Sequence, residues 1–125
     1  MLRKRIGPKK VNKGWGHELI WVSNDLYCGK ILHFSKAGNK FSMHFHREKD
    51  ETWMVLTGKF IVRWIDPANA KLNERVLKTG DVWRNVPCLP HQLEALQDES
   101  NIIEVSTPDS IEDNYRVMAG DSQNG

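Results

Sequence analysis

Short apolar runs separated by turn signals fill most of the chain. Residues 18–22 and 27–34 are apolar and rich in β-prone types, and residues 51–56, 59–65, 75–78, 81–85, 91–96 and 101–106 follow in the same style. Residues 41–46 alternate: Phe41, Met43 and Phe45 share one face, and Ser42, His44 and His46 share the other. Gly38-Asn39, the charged stretch 47–50, Thr57-Gly58 and residues 66–69 interrupt the runs. Only residues 110–115 suggest a helical turn. Many short strands punctuated by turns predict an all-β domain, an antiparallel sandwich or barrel. No amphipathic helix of ordinary length competes with that reading.

At 125 residues the chain suits one domain with its own core. We divide it into a basic tail at 1–12, a barrel at 13–117 and a second tail at 118–125. The net charge of +2 is too small to argue for nucleic acid. Five of the first ten residues are basic, but no aromatics interleave with them to stack on bases, so this stretch reads as a solvated arm. Cys28 and Cys88 read as reduced small residues, since two spaced cysteines make neither a disulfide framework nor a zinc cluster. No apolar stretch is long enough to span a membrane, and no apolar run follows the basic start. Cytoplasmic placement is the resulting expectation.

The chemistry concentrates in two segments. His44 and His46 are two apart on a strand, so their imidazoles leave the same face. Glu51 lies an odd number of residues further on, and the polar loop at 47–50 resets the parity so that its carboxylate can face the same cavity. His91, preceded by Pro90, would reach the site by closure of the barrel. Three imidazoles and a carboxylate form a borderline ligand set for one divalent cation: Zn, Mn, Fe, Ni or Cu. Four protein ligands leave open positions on a five- or six-coordinate ion, as a catalytic metal needs. His17 and His33 read as structural or surface residues.

These segments resemble the two cupin motifs. Residues 38–58 follow the form G-x5-H-x-H-x4-E-x6-G at every marked position. In the second motif Gly80 and His91 keep their separation, while the usual inner Pro and Gly are Val86 and Cys88, and the usual Asn is Ala95. The resemblance implies a cupin double-stranded β-helix, or jelly roll, and a homodimer. Lys13-Gly-Trp15-Gly16-His-Glu18, the stretch from His44 to Trp53, and residues 103–116 are further similar to the sugar isomerase cupins of the type II mannose-6-phosphate isomerase kind. That likeness implies an aldose–ketose isomerase acting on a sugar or sugar phosphate.

In an isomerase of this kind a base must sit near the reacting carbons. Glu104 is the first candidate and Lys30 the second. Strand alternation puts neighbours on opposite sides without saying which side is inside, so both orientations stay open for each. Arg84 and Arg116 suit a phosphate, with a surface ion pair as the other reading of Arg84. Trp53 shares the parity of Glu51, which predicts that it lines the cup and stacks on a sugar face. Two alternatives use the same ligands: a cupin that binds a small molecule without turnover, and an Fe(II) dioxygenase.

Overall fold

The structure, a computed structural model, describes residues 7–124. The strands are β1 (Lys9–Lys13), β2 (Gly16–Ser23), β3 (Cys28–Phe34), β4 (Met43–Phe45), β5 (Glu51–Thr57), β6 (Lys59–Ile65), β7 (Leu72–Lys78), β8 (Val82–Asn85), β9 (His91–Ala95), β10 (Ser100–Ser106) and β11 (Tyr115–Met118), followed by a helical turn α1 (Asp121–Asn124). They form two antiparallel sheets, one in the order β1-β2-β3-β10-β5-β8 and the other β11-β4-β9-β6-β7. Among the described residues no helix is long and apolar enough to cross a membrane.

The inner faces of the strands explain both the core and the site. Along β3 the buried positions run Lys30, Leu32, Phe34; along β5 they run Glu51, Trp53, Val55; along β9 they run His91, Leu93, Ala95. Each strand therefore changes from polar to apolar along its own inward side. Register brings like levels together: Glu104 pairs with Lys30 and Trp53, and Ile102 pairs with Leu32 and Val55. The apolar level fuses into one core around Trp15, Phe34, Phe60, Val62 and Leu93. Burying a side chain such as Phe34 or Leu93 contributes about 1.5–3 kcal/mol. The polar level is left as a cavity.

Gly58 marks the tight connection between β5 and β6. Its φ is +81°, and a β-carbon there would collide with the Ser100 side chain. The equivalent freedom at Gly38, φ +92°, serves the turn before β4.

The structure differs from the sequence reading at four places. Lys9–Lys13, assigned above to a tail, is the edge strand β1, with Lys10 opposite Leu19 and Val11 opposite Glu18. Lysines are ordinary on an edge strand, where they discourage further pairing, so composition alone made the strand look like a solvated arm. Residues 1–6 of that tail lie outside the described residues. Residues 110–115 contain an isolated turn rather than a helical one, and Tyr115 begins a strand against β4. Residues 118–124 are docked: Asp121 Oδ2 accepts from the Lys40 amide (2.8 Å), and a β-carbon on Gly120 would collide with the backbone of Phe41 and Ser42. Finally, Phe41 faces inward with His44 (ring centroids 5.1 Å apart), because β4 starts only at Met43 and the alternation does not extend upstream of it.

Candidate metal centre

His44 and His91 stand opposite each other across the β4–β9 pairing, and His46 follows at the end of β4. One nitrogen from each of the three lies within 4.8 Å of the others. Each ring is oriented by a backbone carbonyl: Nδ1 of His44 donates to Ser42 (2.8 Å), Nδ1 of His46 to Asp113 (2.6 Å) and Nδ1 of His91 to Leu89 (2.9 Å). A carbonyl only accepts, so each Nδ1 carries the ring proton and each Nε2 is left with a lone pair. This is the arrangement that holds a histidine as a metal ligand.

Glu51, at the first position of β5, lies beside this trio of histidines. Its Oε1 is 2.9 Å from His91 Nε2 and its Oε2 is 4.0 Å from His46 Nε2. Asn85, buried and itself held by Trp83 Nε1 (2.8 Å), donates to Glu51 Oε1 (3.2 Å). The loop at 47–50 does reset the parity, so that Glu51 faces the histidines.

Three observations fit a divalent cation here. First, His91 Nε2 is wholly buried and makes no well-directed hydrogen bond, although a carboxylate oxygen is close. A shared cation would satisfy both the imidazole nitrogen and the carboxylate oxygen. Second, burial, reinforced by His91 and His46, pushes the His44 imidazole down to about 3, and burial lowers His46 as well. Both rings are therefore neutral donors at neutral pH. Third, carboxylates outnumber ammonium groups in the ion-pair cluster beside the histidines. Glu18, Glu51, Glu104 and Asp109 surround only two ammonium groups, Lys30 and Lys49. A divalent cation held beside Glu51 would be attracted by that excess of carboxylates.

His44, His46 and Glu51 line one side of a cavity of about 560 Å³, with His91 buried behind them; Glu104, Lys30, Arg116 and the apolar side chains of Trp15, Leu32 and Phe41 line the rest. Glu104 and Lys30 both turn inward. Glu104 is 4% exposed; its Oε1 accepts from Trp53 Nε1 (3.2 Å) and its Oε2 from Lys49 Nζ (3.0 Å). Burial and the neighbouring Glu51 push its carboxyl above the usual range, against the pull of Lys49 and Lys30. Lys30 is held by Asp109 and, at 3.8 Å, by Glu18.

Two expected substrate contacts are not in the cavity. Trp53 is 1% exposed, packed edge-on against Phe41 and His91, and directs only its N–H toward Glu104. Trp53 stands level with Glu104 and Lys30 in the sheet, yet its ring packs into the hydrophobic core instead of the cavity. Arg84 lies outside, its side chain 60% exposed, in a bidentate pair with Asp50.

Sequence reasoning passed over Lys49, Asp109, Asn85 and Asp113. Lys49 looked like one charge in a solvated hairpin, yet its side chain is 6% exposed, and its ammonium lies 3.1 Å from Glu51, 3.0 Å from Glu104 and 2.8 Å from Asp109. Burial opposes its charge, and these carboxylates outweigh burial and raise its pKa. Burial likewise opposes ionisation of Asp109, and Lys49 and Lys30 overcome it. Glu104 and Asp109 belong to the far end of the chain from Lys49, so their convergence on it carries no local signal.

The second motif departs from the usual pattern at Cys88. Cys88, where glycine is usual, has φ +69°, and its amide donates to the His46 carbonyl (2.6 Å). The backbone thus keeps a glycine-like conformation despite the side chain.

No family model and no curated protein matches the chain. Solved structures do. The capsular polysaccharide assembling protein CapF from Staphylococcus aureus is similar over 92% of this chain and 34% of its own, at 16% identity and a TM-score of 0.78. Oxalate decarboxylase from Bacillus subtilis is similar over 88% of this chain and 30% of its own, at 18% identity and a TM-score of 0.75. KdgF from Halomonas sp. is similar over 77% of this chain and 81% of its own, at 21% identity and a TM-score of 0.66. The chain thus spans about a third of the CapF and decarboxylase chains. At these identities the likeness is one of fold.

Proposed function

We propose that this chain, which has the cupin fold, binds one divalent cation through His44, His46, His91 and Glu51 and isomerises a small sugar or sugar phosphate between aldose and ketose. The observation that carries the reading is Glu104, a buried carboxyl with a raised pKa that faces the same cavity as the ligand set. A bound cation would supply Lewis acidity to the carbonyl and neighbouring hydroxyl of the open-chain substrate.

The remaining chemistry belongs to the chain. Glu104, as carboxylate, takes the proton from the hydroxyl-bearing carbon beside the carbonyl, leaving an enediolate, and returns it to the former carbonyl carbon, while the hydroxyl proton passes from the one substrate oxygen to the other, so that aldose and ketose interconvert. Lys49 stays protonated, holds Glu104 in place and offsets negative charge developing on the substrate oxygens. Lys30 is engaged by Asp109 and Glu18, so it serves to hold the cluster rather than to move a proton. Arg116 and Lys13, on the cavity wall, supply positive charge for a phosphate. Trp15, Leu32 and Phe41 exclude water from the reacting carbons.

One observation favours a second reading, a cupin that binds a small molecule without turnover. Both oxygens of Glu104 already have partners, Trp53 and Lys49, which is how a purely structural acid is held. Metal analysis of the purified protein, followed by an assay interconverting mannose 6-phosphate and fructose 6-phosphate, separates the two. Turnover that vanishes in Glu104→Gln while the metal is retained supports the isomerase. Retained metal with no turnover on a panel of aldoses and ketoses leaves the binding protein, and oxygen uptake by an iron-loaded sample points to a dioxygenase. A homodimer is proposed on the family resemblance alone, and sedimentation equilibrium tests it.

A further inference from the structure

Residues 107–114 connect β10 to β11 across the cavity and carry Asp109, Ser110 and Ile111 onto its wall. Near the end of this connection stands Asp113. Its carboxylate accepts three consecutive backbone amides from the turn between β4 and β5: Arg47 on Oδ1 (2.6 Å), and Glu48 and Lys49 on Oδ2 (3.1 and 3.0 Å). Its own carbonyl accepts from His46 Nδ1 (2.6 Å). One residue thus grips the turn and orients a ring at the turn's entrance. The turn is bracketed by two members of the ligand set, His46 before it and Glu51 after it.

We infer that Asp113 is a positioning residue for the cation site, acting through His46 and the turn at 47–50; this rests on the metal reading above. Three amides on one carboxylate are charge-assisted bonds, stronger than neutral ones. They offset the burial of Asp113, and its carboxyl is held below the usual range. With the turn fixed, the carbonyl of Asp113 is fixed too, and so is the direction of His46 Nε2. Partners of this kind are worth about 10–100-fold in metal affinity. The same grip places Lys49 against Glu51 and Glu104, so that the cation site and the cavity wall share a single clasp.

The test is Co²⁺ titration of the full chain, followed by calorimetry and by the visible absorption of the bound ion. Asp113→Ala should bind Co²⁺ about 10–100-fold more weakly. Glu112→Ala, an exposed neighbour, should match the wild type. A loss of packing alone would lower the melting temperature without touching the ligand, so the ¹⁵N signals of His46 are recorded as well. In Asp113→Ala the ring should lose its single Nδ1–H tautomer, and the amides of 47–49 should exchange faster. Should the alanine variant not fold, Asp113→Asn retains one acceptor oxygen and should show an intermediate loss. Unchanged Co²⁺ affinity and an unchanged His46 tautomer in a folded variant overturn the inference and leave the metal reading standing. A wild type that binds no Co²⁺, Zn²⁺, Mn²⁺, Fe²⁺ or Ni²⁺ overturns both.

Discussion

Replacing His44 by glutamine should flatten the acid side of the stability profile of the metal-free protein. Burial, with smaller contributions from His91 and His46, takes this imidazole from 6.5 to about 3. The folded state therefore binds the proton less readily than the unfolded chain. Stability conferred by the neutral ring is complete above about 6.5 and is lost as the pH falls toward 3. At pH 5 the loss is about 2 kcal/mol, since each unit of displacement is worth about 1.4 kcal/mol. Glutamine does not titrate, so His44→Gln removes this component while the other titrating groups remain in both proteins. Urea unfolding in the presence of a chelator, at pH 7 and pH 5, measures the difference. Between those pH values the wild type should lose about 2 kcal/mol more than His44→Gln, or about 1 M in urea midpoint at an ordinary slope for this size. Equal losses would mean that His44 is not a buried neutral ring and would remove one of the three observations that fit a cation.

Saturating Zn²⁺ at about 100 times its dissociation constant should stabilise the fold by about 2.7 kcal/mol, read as a rise in melting temperature that a chelator reverses. Lys49→Met leaves Glu51, Glu104 and Asp109 without their shared counter-ion and should cost about 3 kcal/mol or more by urea unfolding, with part of the loss recovered on adding divalent cation; an unchanged midpoint would contradict the buried cluster. Arg84→Ala breaks only an exposed ion pair, so the melting temperature, metal binding and turnover should all stay at the wild-type level. Cys88→Gly relieves a left-handed backbone conformation and should stabilise the protein by up to about 1 kcal/mol without altering metal affinity. Destabilisation by that change would mean that the Cys88 side chain supplies contacts outweighing the strain.

Much of the ligand set was legible along the chain. The two-residue spacing of His44 and His46 sends both side chains to one face of β4 whatever the rest of the fold does, because alternation is a property of the extended backbone itself. The polar loop before Glu51 and the turns at Gly38 and Gly58 are also local, set by residue types that tolerate a reversed or left-handed backbone. The all-β architecture followed from the same local cues. The edge strand β1, the exposed strand β11 and the docked residues 118–124 escaped notice because none of them buries an apolar face that would write a period into the sequence.

Local chemistry therefore determined which side chains could share an ion and where the chain must turn. Tertiary structure alone decided which side of each strand is inside. That choice brought Glu104 and Lys30 into the cavity, packed the Trp53 ring into the core and left Arg84 in solvent. The same closure buried Lys49 among acids from β5, β10 and the 107–114 connection, and set Asp113 over the turn beside His46. The physical reason is range. A strand's periodicity and a turn's dihedral angles are encoded within a few residues, whereas the burial of a charge depends on partners that only the closed sheets bring near.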